Sequence, residues 1–442
     1  MYTNKDLRKL LIPLMIEQVL TSLMGTADTL MVARLGETSV SGVSCVDSIN
    51  KLVIFLLASI ATGGTIVCSQ FIGKGDKKNT DEAARQVLLA SFGISLVLML
   101  FCFVLRKWLL NIIFGSVEAA VMDSALDYFK ITAISYPFVA IFNSAASIYR
   151  AGGNSRLPML ISAGGNVLNI AGNYILLFVL HTGVSGAAWA TTGSMAVNAA
   201  VIICFLRFKN NPVDIGRLYM IRPRFRLMLK VIRVGVPTGI ENSMFQFGKL
   251  IVQSTVATLG TMAIASNAVV VALELVTSMP SQGIAIGLIT VAGQCIGAGR
   301  LDEAIANIKK LTLWAAVVLF VWNWIIFFFT MPVCRLAGLD EATCALTFSV
   351  MLLISIVKPF LWPLSFLPPN GMRAAGDAAF SMITATLSMW ICRVGLTTVL
   401  CRFMGAGLTG IWCGYFLDWA VRSVVNVLRF RSGRWASHKV ID

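Results

Sequence analysis

Residues 70–75 read Gln-Phe-Ile-Gly-Lys-Gly and residues 294–299 read Gln-Cys-Ile-Gly-Ala-Gly, the same Gln-x-x-Gly-x-Gly pattern written twice, 224 positions apart. The register extends outward from it. Pro13 returns as Pro237, Glu17 as Glu241, Leu35-Gly36 as Leu259-Gly260 and Gly63 as Gly287, all at that offset. Arg150 and Gly153 return as Arg373 and Gly376, 223 positions on, and Gly183-x-x-Gly186 returns as Gly407-x-x-Gly410 at 224 again. The chain is a duplication of two similar halves.

Composition says where such a chain lives. Hydrophobic residues make up 57% and charged residues 13%, with a mean hydropathy of +0.80; soluble domains carry about a quarter charged residues. An integral membrane protein is expected. The formal net charge of +15 would suggest nucleic acid in a soluble chain, but here the basic residues gather in alternate loops, which is a topology signal, and no nucleic-acid partner is expected. Met1 to Lys9 is short and charged, and no small-residue cleavage site follows, so the first apolar run is expected to stay as a membrane helix. Most of the ten Cys sit inside apolar runs and behave as small hydrophobes. No C-x-x-C supports a zinc or redox reading, and Cys334 and Cys344, flanking one outer loop, are expected to be free although they could pair.

Apolar stretches of about 20 residues, enough to cross a bilayer, fall in the first half at 10–33, 46–71, 87–106, 126–148, 157–180 and 185–206. The second half gives 231–257, 266–295, 311–331, 346–368, 379–402 and 408–428. The fold class is therefore all-α integral membrane, with twelve transmembrane helices in two pseudo-symmetric six-helix lobes. The lobes are predicted at 1–206 and 231–442, joined by a polar linker at 207–230 that Pro212 and Pro223 keep from being helical. Because six is even, both halves enter from the same side, and the repeat is parallel. Lys5, Arg8, Lys9, Lys74, Lys77, Lys78, Arg150, Arg156, the linker, Arg300, Arg373 and the tail from Arg429 to Lys439 all fall on one side. Both termini are therefore expected in the cytoplasm, with the protein in the cell membrane. Each Gln-x-x-Gly-x-Gly reads as a helix-ending turn, since no Gly-Lys-Ser/Thr follows to make a phosphate loop.

Ionisable residues inside apolar spans are costly and so point to function. Asp28 lies in the outer half of the first span; its counterpart in the second half is Val252. Asn166, Asn169 and Asn173 share one face of the fifth span, and Thr191 begins the sixth. Carboxylate, amide carbonyl and hydroxyl oxygens suit Na⁺, while the carboxylate by itself can carry H⁺; the residues allow both ions. No other cofactor is expected. At the position of Asn169 the second half has Arg393, so the cation site is expected in the first half. Candidates to line a substrate cavity are Glu17, Gln70 and Tyr136 in the first half and Glu241, Gln282, Lys358 and Arg393 in the second. Glu241 would either face substrate or balance Lys358 or Arg393. Tyr136-Pro137 and Lys358-Pro359 are expected to kink the fourth and tenth helices. The two His, His181 and His438, have no metal spacing, and an enzyme is not expected.

Asp28-x-x-x-Val-x-x-Leu-Gly36, the paired Gln-x-x-Gly-x-Gly ends, Arg150-Ala-Gly-Gly-Asn before Asn169-x-x-x-Asn173, and Gly183-x-x-Gly-Ala-Ala-x-Ala-Thr191 resemble the multidrug and toxic compound extrusion (MATE) transporters over nearly the whole chain. The resemblance implies two six-helix lobes around a central cavity and export of small organic, often cationic or amphiphilic, compounds by antiport against H⁺ or Na⁺. It assigns the coupling site to Asp28, Asn169, Asn173 and Thr191. Many members have a second carboxylate where this chain has Asn173, leaving one acid where others have two, which favours a proton over Na⁺. Many also have an acid in the tenth helix, where this chain has Lys358. A monomer in contact with membrane lipid is expected. A flippase of lipid-linked or other amphiphilic metabolites in the same superfamily is the alternative function.

Overall fold

The computed structural model describes residues 1–115, 117–208, 213–216, 222–438 and 440–441. Pro212 and Lys439, singled out above, lie outside them. The described residues form long helices: α1 Asn4–Ala33, α2 Glu37–Lys74, α3 Lys77–Phe114, α4 Ala119–Ala151, α5 Arg156–Val179 and α6 Val184–Leu206 in the first half. The second half repeats the order with α7 Phe225–Ala257, α8 Thr261–Gly297, α9 Leu301–Phe328, α10 Glu341–Ala375, α11 Ala378–Arg402 and α12 Gly407–Arg431. Ten of these are long and apolar enough to cross a membrane. The other two, α7 and α12, carry Glu241, Asp418 and Arg422, which are buried against partners inside the protein. The helices outrun the apolar stretches that mark them in the sequence, because polar turns continue the hydrogen-bonded ladder past the hydrocarbon.

The chain divides into two compact units, Asn4–Gly239 with Ile441, and Ile240–Val440 with Met1–Thr3. The division falls inside α7, which begins at Phe225 rather than at the expected 231. Ahead of it, the described part of the linker docks on the start of α3. The Asp214 amide donates to Asp81 Oδ1 at 2.8 Å, Gln86 Nε2 to the Arg222 carbonyl at 2.8 Å, and the Arg224 amide to Gln86 Oε1 at 2.9 Å.

The duplicated Gln-x-x-Gly-x-Gly segments end their helices identically. Gly75 (φ 75) and Gly299 (φ 73) adopt left-handed backbone, which a residue without Cβ does at little cost. Gly75 N–H bonds the Ile72 carbonyl and Asp76 N–H the Phe71 carbonyl; Gly299 N–H bonds Ile296 and Arg300 N–H bonds Cys295. Such paired bonds satisfy carbonyls that a helix end leaves open. Asp76 then caps α3, and the Asn79 side-chain and backbone N–H groups hold its carboxyl below the usual carboxylate range.

Proline inside a span frees the carbonyl four residues earlier, and hydrocarbon offers it no donor. Side chains supply two: Trp322 Nε1 donates to Val276 O, freed by Pro280, at 3.1 Å, and Asn426 Nδ2 donates to Ser365 O, freed by Pro369, at 3.0 Å. At Pro137 the helix tightens into a 3₁₀ turn, Ala133–Ser135, before resuming. At Pro359, by contrast, α10 stays helical throughout. In the first unit α2 meets the start of α7 through small residues: a Cβ on Gly63 would stand 2.4 Å from the Val231 carbonyl oxygen. Gly63→Ala is therefore expected to cost about 1–3 kcal/mol, whereas Gly93→Ala, with nothing within 4 Å, should be neutral or stabilising. Melting of the two variants in detergent checks the ordering; equal melting temperatures would refute the close approach.

Candidate functional site

Five helices of the first unit converge on a cavity of ≈ 230 Å³. Each places a polar side chain there by its own periodicity. Asp28 comes from α1. On α2, Asp47, Asn50 and Lys51 fall at i, i+3 and i+4, one face of the helix, and all three line the cavity. Tyr128 and Tyr136 come from α4, Asn173 from α5 and Thr191 from α6.

The residues expected to form the coupling site are joined in a chain of hydrogen bonds. Asn173 Nδ2 donates to Asp28 Oδ1 at 2.7 Å and to Asn169 Oδ1 at 3.1 Å, and Asn169 Nδ2 donates to Thr191 Oγ1 at 3.1 Å. Asn169 and Asn173 are buried. Immediately after Asn173 the helix widens into a π-helical stretch, Tyr174–Val179, a feature often found at functional positions. Asn173 Oδ1 is buried without a hydrogen-bond partner, so the amide presents a free acceptor beside Asp28. Asn166, on the expected face, does not line the cavity. Among the described residues no Lys or Arg lies within ion-pair distance of Asp28.

One feature escaped the sequence reading. The expectation of one acid at this site is corrected by Asp47, whose carboxylate lines the same cavity as Asp28. The 47, 50, 51 spacing was the signal available, but which face of α2 turns inward depends on neighbours that sequence does not reveal. Tyr136, expected near substrate, does line the cavity, where its hydroxyl donates to Asn50 Oδ1 at 2.7 Å. Glu17 does not: it is buried in an ion pair with Arg150 at 2.5 Å. Gln70 is also buried away from the cavity.

In the second unit the same positions carry different chemistry. Glu241 pairs with Arg373, as Glu17 pairs with Arg150, and stands 3.6 Å from Arg422. Its expected partners, Lys358 and Arg393, are taken elsewhere. Lys358 Nζ is fully buried and donates to Glu274 Oε1 at 2.6 Å, Thr277 Oγ1 at 2.6 Å and Ser278 Oγ at 2.7 Å. Arg393 Nη2 bonds Asp418 Oδ2 at 2.6 Å, and its guanidinium lies 4.1 Å from the Tyr415 ring centroid. Tyr415 occupies the position of Thr191, and Val252 that of Asp28. Gln282 is half-buried on α8. Cys334 and Cys344 are both free thiols. Among the described residues no group of His, Cys, Asp or Glu could hold a metal ion.

A duplicated protein of many helical spans, with a polar cavity enclosed by five of them, has the architecture expected of a membrane transporter. The chain belongs to the MatE family, whose profile matches residues 13–175 and 237–399, once in each half. Membership makes it a transporter and not an enzyme. It is 28% identical to "Probable multidrug resistance protein NorM" of Thermotoga maritima, over 99% of this chain and 94% of that one. It is 27% identical to "Uncharacterized transporter YisQ" of Bacillus subtilis, over 96% and 93%. A solved multidrug resistance MATE transporter in an outward-facing conformation shares the fold, with a TM-score of 0.88 and 22% identity, covering 97% of this chain and 95% of that one.

Removing one partner of a buried ion pair leaves the other charge uncompensated, at a cost of about 3–5 kcal/mol, whereas replacing both with apolar groups is often near neutral. Lys358→Met should therefore lower the detergent melting temperature markedly, and Lys358→Met/Glu274→Met should recover most of the loss. A double variant no better than the single would show that Lys358 acts outside this pair.

Proposed function

We propose that this transporter exports small organic cations or amphiphiles from the cell by antiport, with Asp28 as the carboxylate that exchanges substrate-driven and ion-driven states. One observation carries the reading: Asp28 is held at a cavity wall by a neutral amide, with no cation paired to it among the described residues. A carboxylate with a fixed Lys or Arg partner is already neutralised; one held by an amide is still available to a mobile cation. The names of the relatives, multidrug resistance proteins among them, support the substrate class. The charge pattern of the loops supports cytoplasmic termini and the cell membrane.

Of the two coupling ions, H⁺ suits the site better. Lys51 and Asp47 line the same cavity with opposite charges, so Asp28 is left as the one uncompensated charge, which a single proton neutralises without a coordination shell. Protonation turns Asp28 from acceptor to donor, and the unpartnered Asn173 Oδ1 is the acceptor that a carboxylic acid would need. In the proposed cycle, substrate binds from the inner side while Asp28 is ionised. A proton from the outer side then loads Asp28, its bonds to α5 rearrange, and substrate leaves. Each pH unit contributes about 1.4 kcal/mol, and each net charge moved about 2.3 kcal/mol per 100 mV. One coupled proton thus supports roughly tenfold accumulation or more.

Efflux of a cationic dye from proteoliposomes, under a pH gradient and then under a Na⁺ gradient, tests this. The expected result is drive by the pH gradient, its loss in Asp28→Asn, and slower but measurable drive in Asp47→Asn, which keeps the Asp28–Asn173 bond. Undiminished gradient-driven efflux by Asp28→Asn would exclude the coupling role, and drive by Na⁺ without a pH gradient would replace the ion.

A further inference from the structure

The first unit holds a second concavity, on the same helices α1 and α5 as the Asp28 cavity but sharing none of its lining residues. It is a groove of ≈ 780 Å³ between the N-terminal ends of α1 and α5, within the size range of ligand clefts, about 300–1,000 Å³. Four cations line it: Lys5, Arg8 and Lys9 from α1 and Arg156 from α5. All four are exposed. Asp6, the acid nearest in sequence, does not line the groove, and among the described residues none of the four cations is in an ion pair.

The same helix face then changes character. Lys5, Arg8, Lys9, Ile12 and Ile16 follow one another at i, i+3, i+4, i+7 and i+11, a single stripe that is basic for its first turns and apolar for the next. Ile12 and Ile16 are 51% and 44% exposed yet line the groove, as does Met159 beside Arg156 on α5. The groove is built on a fixed base: Ser155 Oγ donates to the Leu10 carbonyl at 2.5 Å, tying the start of α5 to α1. From the first cation to the last apolar residue the stripe runs about 16 Å along the helix, at 1.5 Å per residue.

A phosphate would satisfy the cationic end, but a soluble anion gives the apolar end nothing to bury. A molecule with an anionic head and a hydrocarbon chain satisfies both, and basic pockets between membrane helices on the cytoplasmic side are suited to anionic lipid head groups. We infer that this groove binds one anionic phospholipid, with its phosphate at Arg8, Lys9 and Arg156 and an acyl chain along Ile12, Ile16 and Met159.

Native mass spectrometry of the detergent-solubilised protein, titrated with phosphatidylglycerol or phosphatidylcholine, tests the site. Phosphatidylglycerol should be retained about tenfold better than phosphatidylcholine, and Arg8→Gln/Arg156→Gln should lower its retention about 25-fold, at roughly fivefold for each of the two surface charges. Lys77→Gln/Lys78→Gln removes the same charge from exposed positions at the start of α3 and should leave retention unchanged. Glycerol 1-phosphate, the head without the chains, should not displace the lipid at equal concentration. Equal losses in the two double variants would reduce the effect to diffuse charge, and displacement by glycerol 1-phosphate would make the groove a phosphate site; either overturns the inference. Arg8→Lys/Arg156→Lys, which keeps the charge, should retain the lipid, and its failure to do so, with an unchanged melting temperature, would also count against it.

Discussion

Hydrocarbon supplies no partner for a charge or a peptide group, so each polar group in a span must be met from within the chain. That constraint shapes both halves of this protein. Glu17 and Arg150 join α1 to the end of α4, and Glu241 and Arg373 join α7 to the end of α10, with the four residues in the register of the duplication. Carbonyls released by Pro280 and Pro369 are taken by Trp322 and Asn426. Glycines at 75 and 299 close α2 and α8 with the same bonds. The frame was built once and copied, and the pairs that hold it were copied with it.

Within that common frame the halves have diverged by exchanging neutral partners for charged ones. Asn50 and Tyr136 share a hydrogen bond in the first unit; Glu274, 224 positions after Asn50, and Lys358, 222 positions after Tyr136, form an ion pair in the second. Asn169 reaches Thr191 in the first unit, whereas Arg393 stacks on Tyr415 and bonds Asp418 in the second. The buried acids of the second unit thus each face a permanent cation. Asp28 faces an amide instead, and this difference is the physical basis for assigning ion exchange to the first half.

Much of this was legible in the sequence because it depends on local spacing. The twelve apolar runs and the glycine turns follow from periodicity and the repeat, the grouping of Asp28 with Asn169, Asn173 and Thr191 follows from the family resemblance, and the structure joins those four side chains in one chain of bonds. What was not legible depends on which helix faces which. Asp47 needed knowledge that its face of α2 turns toward α1, and Glu241 had several cations at plausible distances in sequence but found Arg373 and Arg422. Helix α7 starts at Phe225, ahead of its apolar stretch, because Phe225 to Lys230 is too polar to register as a span yet continues the helix.

The central claim is that Asp28 gives up its ion when substrate binds. Adding a cationic substrate to weakly buffered, detergent-solubilised protein, with a pH-indicator dye and a Na⁺-selective electrode in the same cell, measures that exchange directly. The account predicts proton release by the native protein and none by Asp28→Asn, provided both bind the substrate. Equal proton release by the two proteins would contradict it.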